Sequence, residues 1–238
     1  MGDGYIRQVR ATGGYLVARS FQKRFREEWF DPGFWDDNAV PVTQGGRGAA
    51  WFIRSEAGDL VLRHFCRGGV PGRLVHRDYI FSTEDAVRSF AEFRLLHLLF
   101  HKGFPVPEPV AAGYTRRGLL FYQASLIMRR IPGARPLLEF ASIEQAAVWQ
   151  AAGACVRRFH DAGVFHADLN CMNILVADGV VYLIDFDRGR MMPAVGDDRW
   201  KASNINRLAR SIRKCLGNLD IPQRERLWQQ FLDGYAGS

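Results

Sequence analysis

Three residues of this chain stand at spacings that suit phosphoryl transfer to a hydroxyl: Asp168, Asn173 five positions on, and Asp185 twelve beyond that. Such a transfer needs a carboxylate near the acceptor oxygen and metal ligands near the phosphates. The first two lie in His166-Ala167-Asp168-Leu169-Asn170-Cys171-Met172-Asn173, and the third opens Asp185-Phe186-Asp187, directly after the apolar run 181–184. Taken singly, each could be no more than a turn or hairpin residue, since Asp and Asn are common there. Their agreement in order and spacing is what favours chemistry.

The surrounding pattern shows what must hold them. Ile174 to Val176 and Val180 to Ile184 flank Asp178-Gly179, a hairpin signature. A helix precedes the pair: Ser142 with Gln145 makes a capping-box pattern, and apolar positions continue to Phe159. The tail from Ser203 reads as helix. Upstream, the first forty residues are mixed and aromatic-rich, with a turn at Asp31-Pro32-Gly33. An extended, glycine-interrupted segment follows from Val40 to Ile53, then a strand from Leu60 to Phe65. Ser82 and Asp85 resemble a cap pair for a helix with Val87, Phe90, Ala91, Leu95 and Leu98 on one stripe. Gly103 and the prolines at 105, 107 and 109 end it. Leu119 to Met128 reads as a buried strand, closed by Ile131-Pro132-Gly133. The expected class is α+β, with a β-rich N-terminal lobe over 1–130 and a larger helical lobe over 131–238.

With 238 residues, 47% of them hydrophobic and 24% charged, the chain reads as globular, one domain or two small lobes. It has no run of 18 apolar residues, so no membrane span is expected. The start, MGDGYIRQVRATGG, lacks an apolar stretch behind its basic residues, so no secretory signal is expected. Four cysteines at no metal-ligand or disulfide-framework spacing read as reduced packing residues of a cytosolic protein. The net charge of +7 favours anionic partners without choosing among them. A nucleic-acid partner would rest on that charge alone and is not expected.

The order of elements and the two Asp-centred motifs resemble the protein-kinase fold. The histidine two residues before Asp168 and the approach from Phe159 to Phe165 also match that pattern in place. The resemblance asks the N-terminal lobe for three further things. A phosphate-covering loop could be Gly45-Gly46-Arg47-Gly48, although an ordinary hairpin turn would look the same. The cation expected on a strand falls on Arg63, where kinases carry lysine. Arginine can grip phosphate through paired N–H bonds, but a surface arginine reads alike. Glu92, on the helix after Ser82, is the matching acid, or else a solvated helix glutamate.

The set Gly-Gly-Arg-Gly at 45–48, Leu-Arg-His-Phe at 62–65, Phe-Ala-Glu-Phe-Arg at 90–94, Arg-Ile-Pro-Gly-Ala at 130–134, His-Ala-Asp-Leu-Asn at 166–170 and Asp-Phe-Asp-Arg-Gly at 185–189 is similar to the 3-deoxy-D-manno-octulosonic acid (Kdo) kinases of lipopolysaccharide core synthesis. The resemblance implies transfer from ATP, with Mg²⁺, to the 4-hydroxyl of a Kdo residue on a Kdo–lipid A precursor. It places the enzyme peripherally on the cytoplasmic side of the inner membrane, against an anionic surface. It assigns Asp168 as catalytic base and Asn173 and Asp185 as metal ligands. Arg63 and Glu92 become the phosphate-anchoring pair, Gly45, Gly46 and Gly48 the loop, and the backbone around Met128 and Arg129 the adenine contact. Ala167, in place of an arginine, and the absence of an Ala-Pro-Glu motif fit a non-protein acceptor. Arg207, Arg210, Arg213 and Lys214 form the polar side of a helix that either rests on an anionic bilayer or is simply solvated. A heptose kinase or other small-molecule kinase of the same fold is the competing reading. A nucleotide- or membrane-binding pseudokinase, suggested by Arg63, is the rival of a different class.

Overall fold

The computed structural model describes residues 4–42, 49–66, 77–142, 145–193 and 196–237. The chain divides into two compact units, one taking in the described residues of Met1–His101 and Pro107–Arg130, the other those of Lys102–Val106 and Ile131–Ser238.

The first unit is built on a sheet. Its strands are β1 (Tyr5–Arg10), β2 (Gly13–Ala18), β3 (Ala39–Pro41), β4 (Ala50–Ile53), β5 (Leu60–His64), β6 (Tyr79–Ile80), β7 (Pro109–Arg117) and β8 (Phe121–Arg129). They run in the order β1-β2-β7-β8-β5-β4-β3, with β6 also pairing with β8. The β1–β2 hairpin is a departure from expectation, because the aromatic first forty residues show no clean alternation. Gly13 is required there: it takes φ 154°, and a Cβ on it would collide with the Tyr114 carbonyl of β7. Strand β8 lies between β5 and β7, and Tyr122, Ala124, Leu126, Ile127 and Met128 are buried along it. It begins later than the apolar run suggests. Gly118, at φ 67°, turns the chain, and Leu119 is left 87% exposed at the tip.

Helix α1 (Arg88–His101) lies on this sheet, its Ser89 hydroxyl donating to the Gly113 carbonyl at 2.9 Å. The expected cap pair is corrected by one residue. Thr83 Oγ1 accepts from the Ala86 amide and caps a 3-10 turn, after which the α-helix begins. The buried face is also rotated. Ser89, Phe90, Glu92, Phe93, Leu96 and Leu99 point inward, while Ala91 and Leu98 are exposed. That register carries Glu92 into the interior.

The second unit contains β9 (Arg135–Pro136), α2 (Ala146–Asp161), β10 (Val164–Phe165), β11 (Ile174–Ala177), β12 (Val180–Leu183), β13 (Arg190–Met191), α3 (Arg199–Cys215) and α4 (Ile221–Ala236). The β11–β12 hairpin turns through Asp178 and Gly179 at φ 47° and 76°, as their types predict. Helix α2 buries Trp149, Ala152, Val156, Phe159 and His160, a helical stripe, but its start differs from the capping-box reading. Gln145 occupies the cap position and makes no side-chain cap bond. Helices α2 and α4 touch backbone to backbone: a Cβ on Gly153 would strike the Phe231 carbonyl, and one on Gly234 the Gln150 carbonyl. Phe104, Phe159, Phe186 and His166 touch in series, with Phe159 and Phe186 stacked and the other two contacts tilted.

Candidate active site

The loop 166–173 is fixed from within and from α3. His166 is 2% exposed, and its two ring nitrogens have separate tasks. The Asp168 amide donates to Nδ1 at 3.2 Å, so Nδ1 is the acceptor; Nε2 then carries the proton, 3.0 Å from the Ile184 carbonyl. Burial pushes the His166 pKa below its ordinary value, against the opposing pull of that carbonyl and of Asp185 and Asp168, so the ring is the neutral tautomer its bonds require. It ties the start of the loop to the residue just before Asp185.

Asn173 closes the other end. Its Nδ2 donates to the Asp168 carbonyl at 2.9 Å, and its own carbonyl accepts from the Ile184 amide at 3.0 Å. Three of the expected site residues, Asp168, Asn173 and Asp185, are thus brought together by a few backbone bonds. With the amide nitrogen occupied, the side-chain oxygen of Asn173 is the atom left to meet a cation. Asp185 sits next to Ile184 in a left-handed conformation, φ 62°, which few residues other than Gly, Asn and Asp adopt. One carboxylate and one amide oxygen suit Mg²⁺, a hard ion that takes few protein ligands and completes its shell with water and phosphate. The described residues contain no cluster of three His, Cys, Asp or Glu side chains arranged for a metal.

Helix α3 supplies contacts that the spacing of motifs did not disclose. Asn204 Oδ1 accepts from the His166 amide at 3.2 Å, and Ser211 Oγ accepts from the Cys171 amide at 3.1 Å. Between them Arg207 reaches the Asp168 carboxylate, donating to Oδ1 through Nε at 2.9 Å and also through Nη2. Asn170 Nδ2 donates to the other oxygen, Oδ2, at 3.2 Å. Asn204, Arg207 and Ser211 share one helical face with the buried Leu208. Polar residues at that period beside a buried leucine were the available clue; the basic residues were read only as a solvated or membrane-facing side.

In the sheet unit, Arg63 of β5 and Glu92 of α1 form an ion pair, with side-chain exposures of 19% and 0%. Strand alternation turns the next residue, His64, the other way, with Nδ1 2.7 Å from Ser125 Oγ. Met128 is paired with Val61 and Pro109, while the Arg129 amide donates to the Glu108 carbonyl at 2.8 Å. The Arg129 guanidinium is engaged by Glu108 and the Ala57 carbonyl, so this side chain ties strands and loops together. Gly45, Gly46 and Gly48 lie outside the described residues.

The family model described as "Lipopolysaccharide kinase (Kdo/WaaP) family" matches residues 33–235. A 3-deoxy-D-manno-octulosonic acid kinase of Stenotrophomonas maltophilia (strain R551-3) is 43% identical over 218 residues, 90% of this chain and 86% of that protein. One of the same name from Xanthomonas axonopodis pv. citri (strain 306) is 44% identical over 215 residues, 89% of this chain and 85% of that protein. Among solved structures, WaaP in complex with acyl carrier protein matches with a TM-score of 0.55 at 14% identity, covering 94% of this chain and 89% of its own. The Rio2 kinase–ADP/Mg²⁺–phosphoaspartate complex from Chaetomium thermophilum also gives 0.55, at 19% identity, covering 99% and 76%. At such identities the structural matches speak for the fold alone, which is α+β and protein-kinase-like. The extent of the family match and the identity to these relatives settle the rest: the chain belongs to the lipopolysaccharide kinase (Kdo/WaaP) family, kinases that use ATP.

Proposed function

We propose that this chain transfers the γ-phosphoryl group of ATP to the 4-hydroxyl of a Kdo residue on a Kdo–lipid A precursor. The observation that carries the reading is the Asp168 carboxylate: one oxygen is held by Arg207, while the other, Oδ2, accepts among the described residues from Asn170 alone, at 3.2 Å. An acceptor hydroxyl at Oδ2 would give up its proton there as its oxygen attacks the γ-phosphorus, while the bond from that phosphorus to the β–γ bridging oxygen breaks and ADP leaves. The bonds from Asn173 Nδ2 to the Asp168 carbonyl and from the Ile184 amide to the Asn173 carbonyl tie the backbone of Asp168 to that of Asn173 and of the residue before Asp185.

In this reading Asn173 and Asp185 would hold Mg²⁺, which when bound would offset the negative charge of the phosphates. Arg63, oriented by Glu92, grips phosphate in the place of a lysine, and Gly45, Gly46 and Gly48 cover it. The strand end at Met128 and Arg129 receives adenine; with the Arg129 amide committed to Glu108, that residue would offer its carbonyl. A peripheral place on the cytoplasmic face of the inner membrane is supported by the net charge of +7 and by the exposed Arg207, Arg210, Arg213 and Lys214 of α3. No described helix is long and apolar enough to cross a membrane.

The test supplies labelled ATP and Mg²⁺ with two acceptors, one bearing Kdo only and one also bearing heptose. Label on Kdo is expected from both, and Asp168→Ala should slow transfer by about 10²- to 10⁴-fold while the protein stays folded. Label found only on heptose, or undiminished transfer by the variant, sinks the assignment.

A further inference from the structure

We infer that Arg207 selects the acceptor as well as holding the base: one edge of its guanidinium fixes Asp168, and the other binds the carboxylate of the acceptor sugar. The inference rests on the acceptor reading above. A guanidinium carries five N–H donors in a rigid plane. Two of them, on Nε and Nη2, go to the same oxygen of Asp168, Oδ1. The remaining N–H groups, both of Nη1 among them, make no hydrogen bond with the described residues, and the side chain is 47% exposed. Because the guanidinium is planar, that unbonded edge lies in the plane of its bond to the base.

A planar pair of N–H donors suits a carboxylate better than a neutral hydroxyl. The relatives at 43% and 44% identity are named for an acid, 3-deoxy-D-manno-octulosonic acid. A sugar acid held by Nη1 would have its ring beside Asp168, where the hydroxyl has to surrender its proton. The surroundings of Arg207 favour an anion too. Helix α3 contains no Asp or Glu, and Arg210 and Lys214 are exposed three and seven residues further along the same face. Asp168 itself offsets only one positive charge of that row.

The experiment compares the Kdo–lipid A acceptor with its carboxyl methyl ester, using wild type, Arg207→Gln and Arg207→Lys. Wild type should lose about 10- to 100-fold in kcat/KM on the ester, the span expected for a hydrogen-bonded charge pair. Arg207→Gln should treat acid and ester alike, and Arg207→Lys, a cation without the fork, should fall between. A purely positioning role through Asp168 would slow both acceptors equally, so an Arg207→Gln enzyme that keeps the wild-type preference for acid overturns the inference. A wild type that does not distinguish acid from ester overturns it as well. Wild type that phosphorylates neither removes the acceptor reading itself, and the inference with it.

Discussion

Arg63 with Glu92 and Arg207 with Asp168 are both arginine–carboxylate pairs, but one is sealed and the other open. The Glu92 side chain is fully buried and its partner largely so, whereas Arg207 and Asp168 are each about half exposed, at 47% and 48%. Burial makes the first ion pair costly to break, because in a low-dielectric interior water cannot replace the contact that the remaining charge loses. Water around the second pair screens its attraction and can solvate whichever partner remains. The first pair is thus bound up with the fold of the sheet unit. The second can loosen and re-form without disturbing the helical unit, as the base role proposed for Asp168 would require.

The largest effect on stability should come from Arg63→Ala. Glu92 would stay buried on α1 with this ion pair lost, at a cost of about 3 kcal/mol by urea denaturation. Replacing both partners with apolar residues, Arg63→Met with Glu92→Leu, should recover most of that stability without restoring transfer. A loss below about 1 kcal/mol for Arg63→Ala would show that the pair is no more consequential than a surface one, and the contrast would fail.

A smaller effect, in the helical unit, should appear as a pH dependence. His160 is 2% exposed, bonds Tyr235 through Nδ1 at 2.8 Å and packs edge-on to Trp200. Burial lowers its pKa to about 4, against a hydrogen bond from the Asn204 side chain and the charge of Asp161; Lys201 and His166 push the same way as burial. An unfolded histidine takes up a proton near pH 6.5, while the folded one resists until about pH 4. The unfolded state therefore binds more protons between those values, and stability falls as pH drops through the window. The full contribution is about 3 kcal/mol. His160→Gln, which can still bond Tyr235, should flatten the curve by about that amount. An unchanged slope in the variant would place the titration elsewhere.

The parts that could be read from sequence are those fixed over short distances along the chain. Asp168, Asn173 and Asp185 meet because a short loop and one hairpin bring them together, and the hairpin is signalled by Asp178-Gly179. Arg63 and Glu92 could be paired in advance because the fold pattern demanded a cation on a strand and an acid on the next helix. The register of that helix was harder. Ala91 and Leu98 fit an apolar stripe by type, yet Phe93, Leu96 and Leu99 fill the interior beside Glu92. The β1–β2 hairpin, strand β7 and the exposed Leu119 depend on how the sheet is assembled, and local apolarity is a poor guide to that. Arg207 was hidden for a similar reason: its bond to Asp168 spans 39 residues, and helical periodicity reports a polar face without naming what the face touches.

The open pair supplies the smallest predicted effect on stability and the one that bears most directly on the contrast. An exposed ion pair contributes about 0–1 kcal/mol, so Arg207→Ala should shift the urea midpoint by no more than that allows. The loop around Asp168 keeps its other anchors: His166 to Asn204, Cys171 to Ser211 and Asn173 to the Asp168 carbonyl. Those bonds fix the backbone, whereas Arg207 touches only the carboxylate, so its removal should leave the fold in place and free the Asp168 side chain to rotate. Transfer should therefore fall while the denaturation curve barely moves, the reverse of the doubly apolar sheet variant measured against Arg63→Ala. If Arg207→Ala instead cost about 3 kcal/mol or more, the exposed pair would be carrying the loop itself, and the division between a structural pair in one unit and a chemical pair in the other would not stand.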